Sequence, residues 1–284
     1  QPSEGSMLRF LTALMGGSTA VTLDGNTVLS YGGSLFNQPN NGNRFFMNFW
    51  FRSYGPPQGP NQVQMNIFTA QGTPNQTAGG YVAALTFTEV QNQFVPLFYA
   101  GCQDDKSYFG GYSSFKAPLD GHWHVLTVEV TSSVQPKFRF KLDDVEDPAP
   151  SWFRNGSNNP NGGVDCNFDW TKVKFWDVAG DSTEGTFYFD GDLAQLYVNF
   201  TNGAPSVDNS DRFISHSPFG VQARGLGLSC SNPTGNIPQL CLTGNAAVFP
   251  DGPKIGNNPP SYIFQAVGNL KTAPKPDPCV ASWY

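Results

Sequence analysis

Residues 44–52, RFFMNFWFR, put apolar side chains on both faces of an extended chain, a pattern that predicts a strand in the middle of a sheet. Other segments alternate. In 122–131, His124, Leu126, Val128 and Val130 fall on one side, against Trp123, Val125, Thr127 and Glu129 on the other. The first set is mostly apolar and is expected to face a core. Within 81–90, Leu85, Phe87 and Glu89 oppose Ala84, Thr86 and Thr88. Residues 137–142 alternate Phe138 and Phe140 with basic side chains, which predicts a strand with one wet face. Further strands are predicted over 10–15, 19–23, 27–31, 62–69, 94–99, 168–176 and 186–197, separated by turn chemistry. Asp24-Gly25-Asn26 reads as the turn of a hairpin joining 19–23 to 27–31. Residues 53–60 (SYGPPQGP) and 155–163 (NGSNNPNGG) read as loops. From about residue 206 the strands give way to Gly, Pro, Asn and Ser with isolated apolar anchors, and no segment has a helical period. The expectation is an all-β chain. A two-sheet antiparallel sandwich would occupy residues 1–208. A loop-rich C-terminal extension, 209–284, would pack on the sandwich or on neighbouring subunits.

Composition agrees with many short strands: 31 Gly and 23 Pro lie between the apolar runs, and charged residues make up only 13% of 284. With 16 Lys and Arg, a net charge of −6 and no basic cluster, a nucleic-acid partner is not expected. No apolar run approaches the roughly 18 residues of a membrane span, so membrane insertion is not expected either. The apolar part of 10–15 is too short for a signal peptide. Five cysteines leave at least one unpaired within the chain, and none has the C-x-x-C spacing of a zinc site. Two readings stay open. The cysteines are buried free thiols, or Cys230 pairs with Cys241 across a short loop and Cys279 links subunits.

Residues 120–125 (DGHWHV) and 186–197 (TFYFDGDLAQLY) carry more information. Together with Leu23-Asp24-Gly25 and Phe49-Trp50-Phe51, they resemble the laminin-G and concanavalin A-like lectin/glucanase superfamily. Its pattern is a DG-x-W-H-x-V strand and a late F-x-G-x-L-x-x-L-x-V strand. Further on, 210–214 (SDRFI), Asn232-Pro233-Thr234-Gly235, 240–249 (LCLTGNAAVF) and 264–270 follow in an order that resembles the concanavalin A-like proteins of tailed bacteriophages and prophages. The resemblance covers most of residues 19–275 through short, tolerant motifs. It implies a two-sheet antiparallel jelly roll exposed on a particle surface. It leaves the ligand open, because one fold hosts many functions.

Glucanases share this fold, so carboxylate pairs matter: a retaining glycosidase needs two about 5 Å apart. The family's E-x-D-x-x-E pattern starts at none of the five Glu. Asp190 and Asp192 have suitable spacing, yet the Gly between them reads as a bend. Calcium would need six to eight oxygens; Asp104-Asp105, Asp143-Asp144 with Glu146-Asp147, and Asp190/Asp192 are the close acidic groupings. Calcium stays an option, with no metal ligand, cofactor or catalytic residue assigned. His122 and His124 flank Trp123 on the face opposite it, without further zinc ligands nearby. Neither G-x-S-x-G nor a phosphate-binding G-x-x-x-x-G-K-[ST] occurs. N-x-[ST] at Asn75, Asn155 and Asn199 is what chance supplies in an Asn-rich chain. Tyr54, Tyr99, Tyr108, Phe109, Tyr112, Trp152 and Phe153 read as loop aromatics, and Tyr108, Tyr112 and Trp152 are the candidates for stacking on sugar rings. The expectation is a non-enzymatic structural component of a bacteriophage virion, a capsid-decoration or tail-associated protein. It would be assembled in the host cytoplasm and exposed on the virion surface. Its partners would be other virion proteins, copies of itself and host-surface glycan. A carbohydrate-binding lectin module and a glucanase-like glycoside hydrolase are the alternatives.

Overall fold

The computed structural model describes residues 20–35, 44–56, 63–72, 82–101, 107–131, 136–156, 168–183, 185–201, 203–218, 220–227, 229–254, 258 and 260–276; for 107 and 154–156 it describes the backbone alone. In chain order the strands are β1 (Ala20–Asp24), β2 (Val28–Gly32), β3 (Arg44–Ser53), β4 (Gln64–Gln71), β5 (Val82–Val90) and β6 (Gln93–Gly101). Next come β7 (Ser107–Tyr112), β8 (His124–Thr131), β9 (Lys137–Leu142), β10 (Val145–Glu146), β11 (Ser151–Gly156) and β12 (Phe175–Val178). Last are β13 (Asp190–Asn199), β14 (Ile214–Ser217), β15 (Gly220–Ala223), β16 (Leu240–Leu242), β17 (Gln265–Val267) and β18 (Lys271–Ala273). Two short 3-10 turns, Trp170–Lys172 and Val207–Arg212, are the helical elements among the described residues.

The strands form two large antiparallel sheets, packed face to face as an open jelly-roll sandwich. The first runs β10-β9-β8-β3-β13-β1-β18, with β16 also on β13; the second runs β11-β7-β6-β5-β4-β12-β2-β17. β3 lies between β8 and β13, and its two apolar faces enter two different cores. Phe45, Met47, Phe49 and Phe51 point between the sheets, where Leu126, Val128, Phe138 and Phe140 meet Leu85, Phe87 and Phe98. Phe46 and Trp50 point outward into a second apolar cluster with Trp123, Val125, Tyr197, Phe213, Ile214, Val221 and Leu226. Burying each such side chain contributes roughly 1.5–3 kcal/mol, which explains a strand with no wet face. Asn48 interrupts the outward row, and its Nδ2 donates to Thr127 Oγ1 at 2.7 Å.

Residues beyond 209 make the second core and also lengthen both sheets. β14 and β15 form a separate hairpin, and the segment around them covers the outward face of β3, β8 and β13. Hydrogen bonds and an ion pair fasten its start. Glu129 on β8 accepts from Arg44 at 2.8 Å, from Ser206 Oγ at 3.0 Å and from the Val207 amide at 2.9 Å. Arg139 donates to Asp208 at 2.6 Å and to Glu146 at 2.7 Å; its hydrogen bonds hold the Asp208 carboxyl down at about 2. β16 sits end to end with β1 along β13, separated by a bulge at Gln195, whose φ is +50°.

Asp24-Gly25-Asn26 is not a hairpin turn. β1 pairs with β13 and β18 in one sheet, and β2 pairs with β12 and β17 in the other, so the turn carries the chain across the sandwich. The β17–β18 connection crosses beside it in the opposite direction. Thr27 Oγ1 donates to Asp24 Oδ1 at 2.7 Å and accepts from the Asn269 amide at 2.9 Å, joining the two corners. Gly268, at φ +114°, lies so close to Thr27 that a Cβ would collide with it. The segment predicted as a strand over 168–176 is a strand only from Phe175. Asp169 accepts from the Thr171 amide and hydroxyl and caps the turn that delivers Trp170 to the core. The strand predicted over 10–15 lies outside the described residues.

Candidate functional site

The glycines of the β7 sequence SYFGGY decide which way its rings face. Gly111 lies against the Phe138 ring inside the sandwich, and Phe109, two residues before it, is 1% exposed in the same core. Tyr108, Gly110 and Tyr112 therefore face outward. Directly paired residues of an antiparallel ladder share a face, and Gly110 pairs with Phe153 of β11. The Phe153 ring lies over Gly110, where a Cβ would meet it at 2.5 Å. It packs against Tyr112 at 5.1 Å between centroids and edge-on against Tyr108 at 6.0 Å. Tyr99, which also pairs with Gly110, shares this face. Burial, then the neighbouring Tyr108, raises the Tyr112 pKa, so its phenol stays neutral at physiological pH.

Tyr108, Tyr112 and Trp152 thus lie on strands, not on loops; the glycines that suggested loops make room for the packed rings. The structure brings Tyr108 and Tyr112 together around Phe153 but sends Trp152 elsewhere. Trp152 pairs with Gly111, takes the opposite face and projects at the sheet edge with 47% of its surface exposed. Tyr54 is remote from this face as well: its hydroxyl donates to Asp192 at 2.9 Å.

Asp192 is committed to the fold. Asp192 is fully buried and accepts from Thr22 at 2.6 Å, from Tyr54, and from both Nε (2.7 Å) and Nη2 of Arg52. Three of these reach Oδ2 and one reaches Oδ1, so both oxygens are engaged within the fold. Asp190 pairs with Asp24 across the ladder, and burial, then repulsion from Asp24 and Asp192, raises its pKa. Asp143 and Asp144 occupy the β9–β10 turn at φ +48° and +69° and point to separate partners: Asp143 to His124, Asp144 to Lys141 and His216. Asp147 turns the other way and accepts from Ser113, Ser114 and the Ala149 amide. Among the described residues no three His, Cys, Asp or Glu side chains converge as metal ligands would. Asp104 and Asp105 lie outside those residues, as do Cys102, Cys166, Cys279 and Asn75. Asn199 is 3% exposed and accepts from Thr201, so its motif is sequestered in the fold.

No protein-family model matches the chain, and no curated protein does. Solved structures are similar to it. Domains LG4-5 of the mouse laminin alpha1 chain are 16% identical over 65% of this chain and 42% of that one, with a TM-score of 0.39. The enzymatically active domain of tailspike protein 2 from bacteriophage CBA120 is 11% identical over 62% and 25%, at 0.37. The globular domain of T. cruzi calreticulin is 12% identical over 67% and 75%, also at 0.37. This chain spans less than half the length of the first two. At these scores the likeness decides neither family nor activity.

A cleft of about 720 Å³ opens beside the β5–β6 turn, away from the aromatic face, with Phe94 and Leu119 in its wall and Asn92, Lys116 and Asp120 at its polar positions. Its Asp120 wall is held by His124, whose Nε2 lies 3.1 Å from Asp120 and whose Nδ1 lies 2.6 Å from Asp143. Only an imidazolium donates to both. Burial opposes the charge on His124, but the hydrogen bond and charge of Asp143, then of Asp120, outweigh it and raise its pKa above 6.5. A raised folded pKa means stability that is full below 6.5 and lost as pH rises through the folded value. The melting temperature of His124→Gln is therefore expected to fall furthest below wild type at about pH 5–6 and to converge on it in alkaline buffer. A gap that stays constant across pH, measured by circular dichroism melts, would contradict the imidazolium bridge.

Proposed function

We infer that the chain is a non-enzymatic surface component of a tailed-bacteriophage virion that binds host glycan through its outward aromatic face. The carrying observation is Phe153 seated on Gly110 between Tyr108 and Tyr112. Three rings are presented together on the outer side of a strand pair locked into an eight-stranded sheet. Rings on that side contribute nothing to the core between the sheets. The apolar C–H face of a sugar stacks on such rings, and the tyrosine hydroxyls beside it donate and accept hydrogen bonds. A face already ordered by its own packing loses little entropy on binding.

The non-enzymatic part of the reading is supported by Asp192, whose oxygens are consumed by Arg52, Tyr54 and Thr22. The virion part is supported by the order of motifs along residues 19–275, and with it come the expected partners, other virion proteins or further copies of this chain. Binding of the intact chain to a panel of bacterial surface polysaccharides tests the glycan face. Tyr112→Ala is expected to weaken binding about tenfold, the loss typical of an interface aromatic, while Trp152→Ala on the other face leaves it unchanged. Absence of binding to every polysaccharide, or a Tyr112→Ala variant that binds as well as wild type, would defeat the reading. β-Glucan cleavage that disappears in Asp190→Asn would instead favour the hydrolase. Antibody labelling of phage particles in electron micrographs tests the virion assignment.

A further inference from the structure

The outer core differs from the inner one in how it is closed. Between the sheets, two eight-stranded faces meet, with side chains such as Trp170 added from the connecting turns. On the outward side, Phe46, Trp50, Trp123 and Tyr197 are covered by a segment whose regular structure, among its described residues, is a short 3-10 turn and the isolated β14–β15 hairpin. The N-terminal part of that segment is held by hydrogen bonds from Ser206 Oγ and the Val207 amide to Glu129 and by the Arg139–Asp208 ion pair. The rest contributes Phe213, Ile214, Val221 and Leu226, and at its far end stands Cys230. Cys241 lies on β16, paired with Tyr197 in the first sheet, and the two cysteines, 11 positions apart in sequence, form a disulfide with Cα atoms 6.4 Å apart. Both are 1% exposed. Cys230 holds φ at +55°, unusual for a residue other than glycine, with its amide donating to Gly227 O at 3.1 Å.

A disulfide placed there joins cover to sheet, and it is sealed by the contacts it secures. We propose that Cys230–Cys241 is a redox latch that fixes the segment 213–230 over the outer core. In the dithiol form, the cover docks by apolar contact and lifts reversibly, uncovering Trp50, Trp123 and Tyr197. When a small disulfide such as oxidised glutathione is present, one cysteine thiolate attacks it and releases one thiol. The second cysteine thiolate attacks the mixed disulfide and releases the other thiol. Two cysteine thiols and one RSSR become one protein disulfide and two RSH. Once closed, the sulfurs are out of reach of reductant until the cover lifts, so reduction is limited by opening. The latch acts on the first sheet's outward face and does not depend on what the aromatic face of the second sheet binds.

Hydrogen exchange of the full chain, oxidised and after reduction with dithiothreitol, reads the latch. Amides of 213–226 are expected to exchange about 100-fold faster after reduction, the ratio that closing a loop of this length supplies, with β3 and β8 unchanged. The Cys230→Ser/Cys241→Ser double variant is expected to match the reduced chain. Phe213→Ala, or the milder Val221→Ala, loosens the cover without touching sulfur and is expected to speed reduction of this bond several-fold, followed by alkylation and mapping of the two cysteine peptides. Equal exchange in both redox states would overturn the latch. So would loss of protection throughout the sandwich on reduction, or a reduction rate indifferent to both outer-core variants.

Discussion

Asp192→Asn is expected to lower the melting temperature by about 6–12 °C. Asp192 is buried completely and carries four hydrogen bonds, two of them from the Arg52 guanidinium. Asparagine keeps the shape but removes the charge, leaving Arg52 beside β13 without its counter-ion and turning an amide N–H toward donors that need an acceptor. Removing one member of a buried pair costs about 3–5 kcal/mol, and the lower end applies because the Arg52 side chain keeps 21% exposure. In a chain of this length each kcal/mol moves the midpoint by about 2–4 °C. Calorimetric melts of Asp192→Asn and of Arg52→Leu/Asp192→Leu give the check: the double variant, with no orphaned charge, is expected to recover part of the loss. A single variant that melts within about 1 °C of wild type would show that the pair is not what anchors β13 to β3 and β1.

Trp170→Ala is expected to destabilise the chain by about 3–5 kcal/mol, read as a shift in the urea midpoint with unchanged slope. Trp170 is the centre of an aromatic column between the sheets. Its ring stacks on Phe200 at 4.1 Å and on Trp176 at 6.0 Å, lies parallel to Phe45 at 6.0 Å, and takes the edge of Phe168 at 4.6 Å. Truncation opens a cavity that a sandwich held by ladders on both sides cannot collapse to fill. Trp170→Phe is expected to fall between the two. A loss below about 1 kcal/mol for the alanine variant would mean that the turn around Trp170 is peripheral.

Strand existence was readable because alternation and apolar runs report burial locally. Residues 44–52, 122–131 and 137–142 announced β3, β8 and β9, and their inward sets are those found between the sheets. β7 and β11 were not readable, because Gly110, Gly111 and an Asn-Gly at the end of β11 look like loop chemistry. Their reason is steric and lies on other strands: Phe138 fills the space inside Gly111, and Phe153 the space outside Gly110. The candidate site inherited this error. Ring content pointed to Tyr108 and Tyr112, but the parity that sets Trp152 apart and brings Phe153 in depends on which residue pairs with which glycine.

By itself the sequence determined an all-β chain, its central strand and the inward faces of β8 and β9, since those follow from the chemistry of neighbours along the chain. Only the tertiary structure decided that Asp24-Gly25-Asn26 crosses between sheets, that Asp192 serves Arg52, and that residues beyond 209 cover a second core and add strands to both sheets. Each depends on a partner far away in sequence, 140 residues in the case of Arg52 and Asp192. A turn residue has the same local chemistry whether the strand after it returns beside the first or leaves for the opposite sheet.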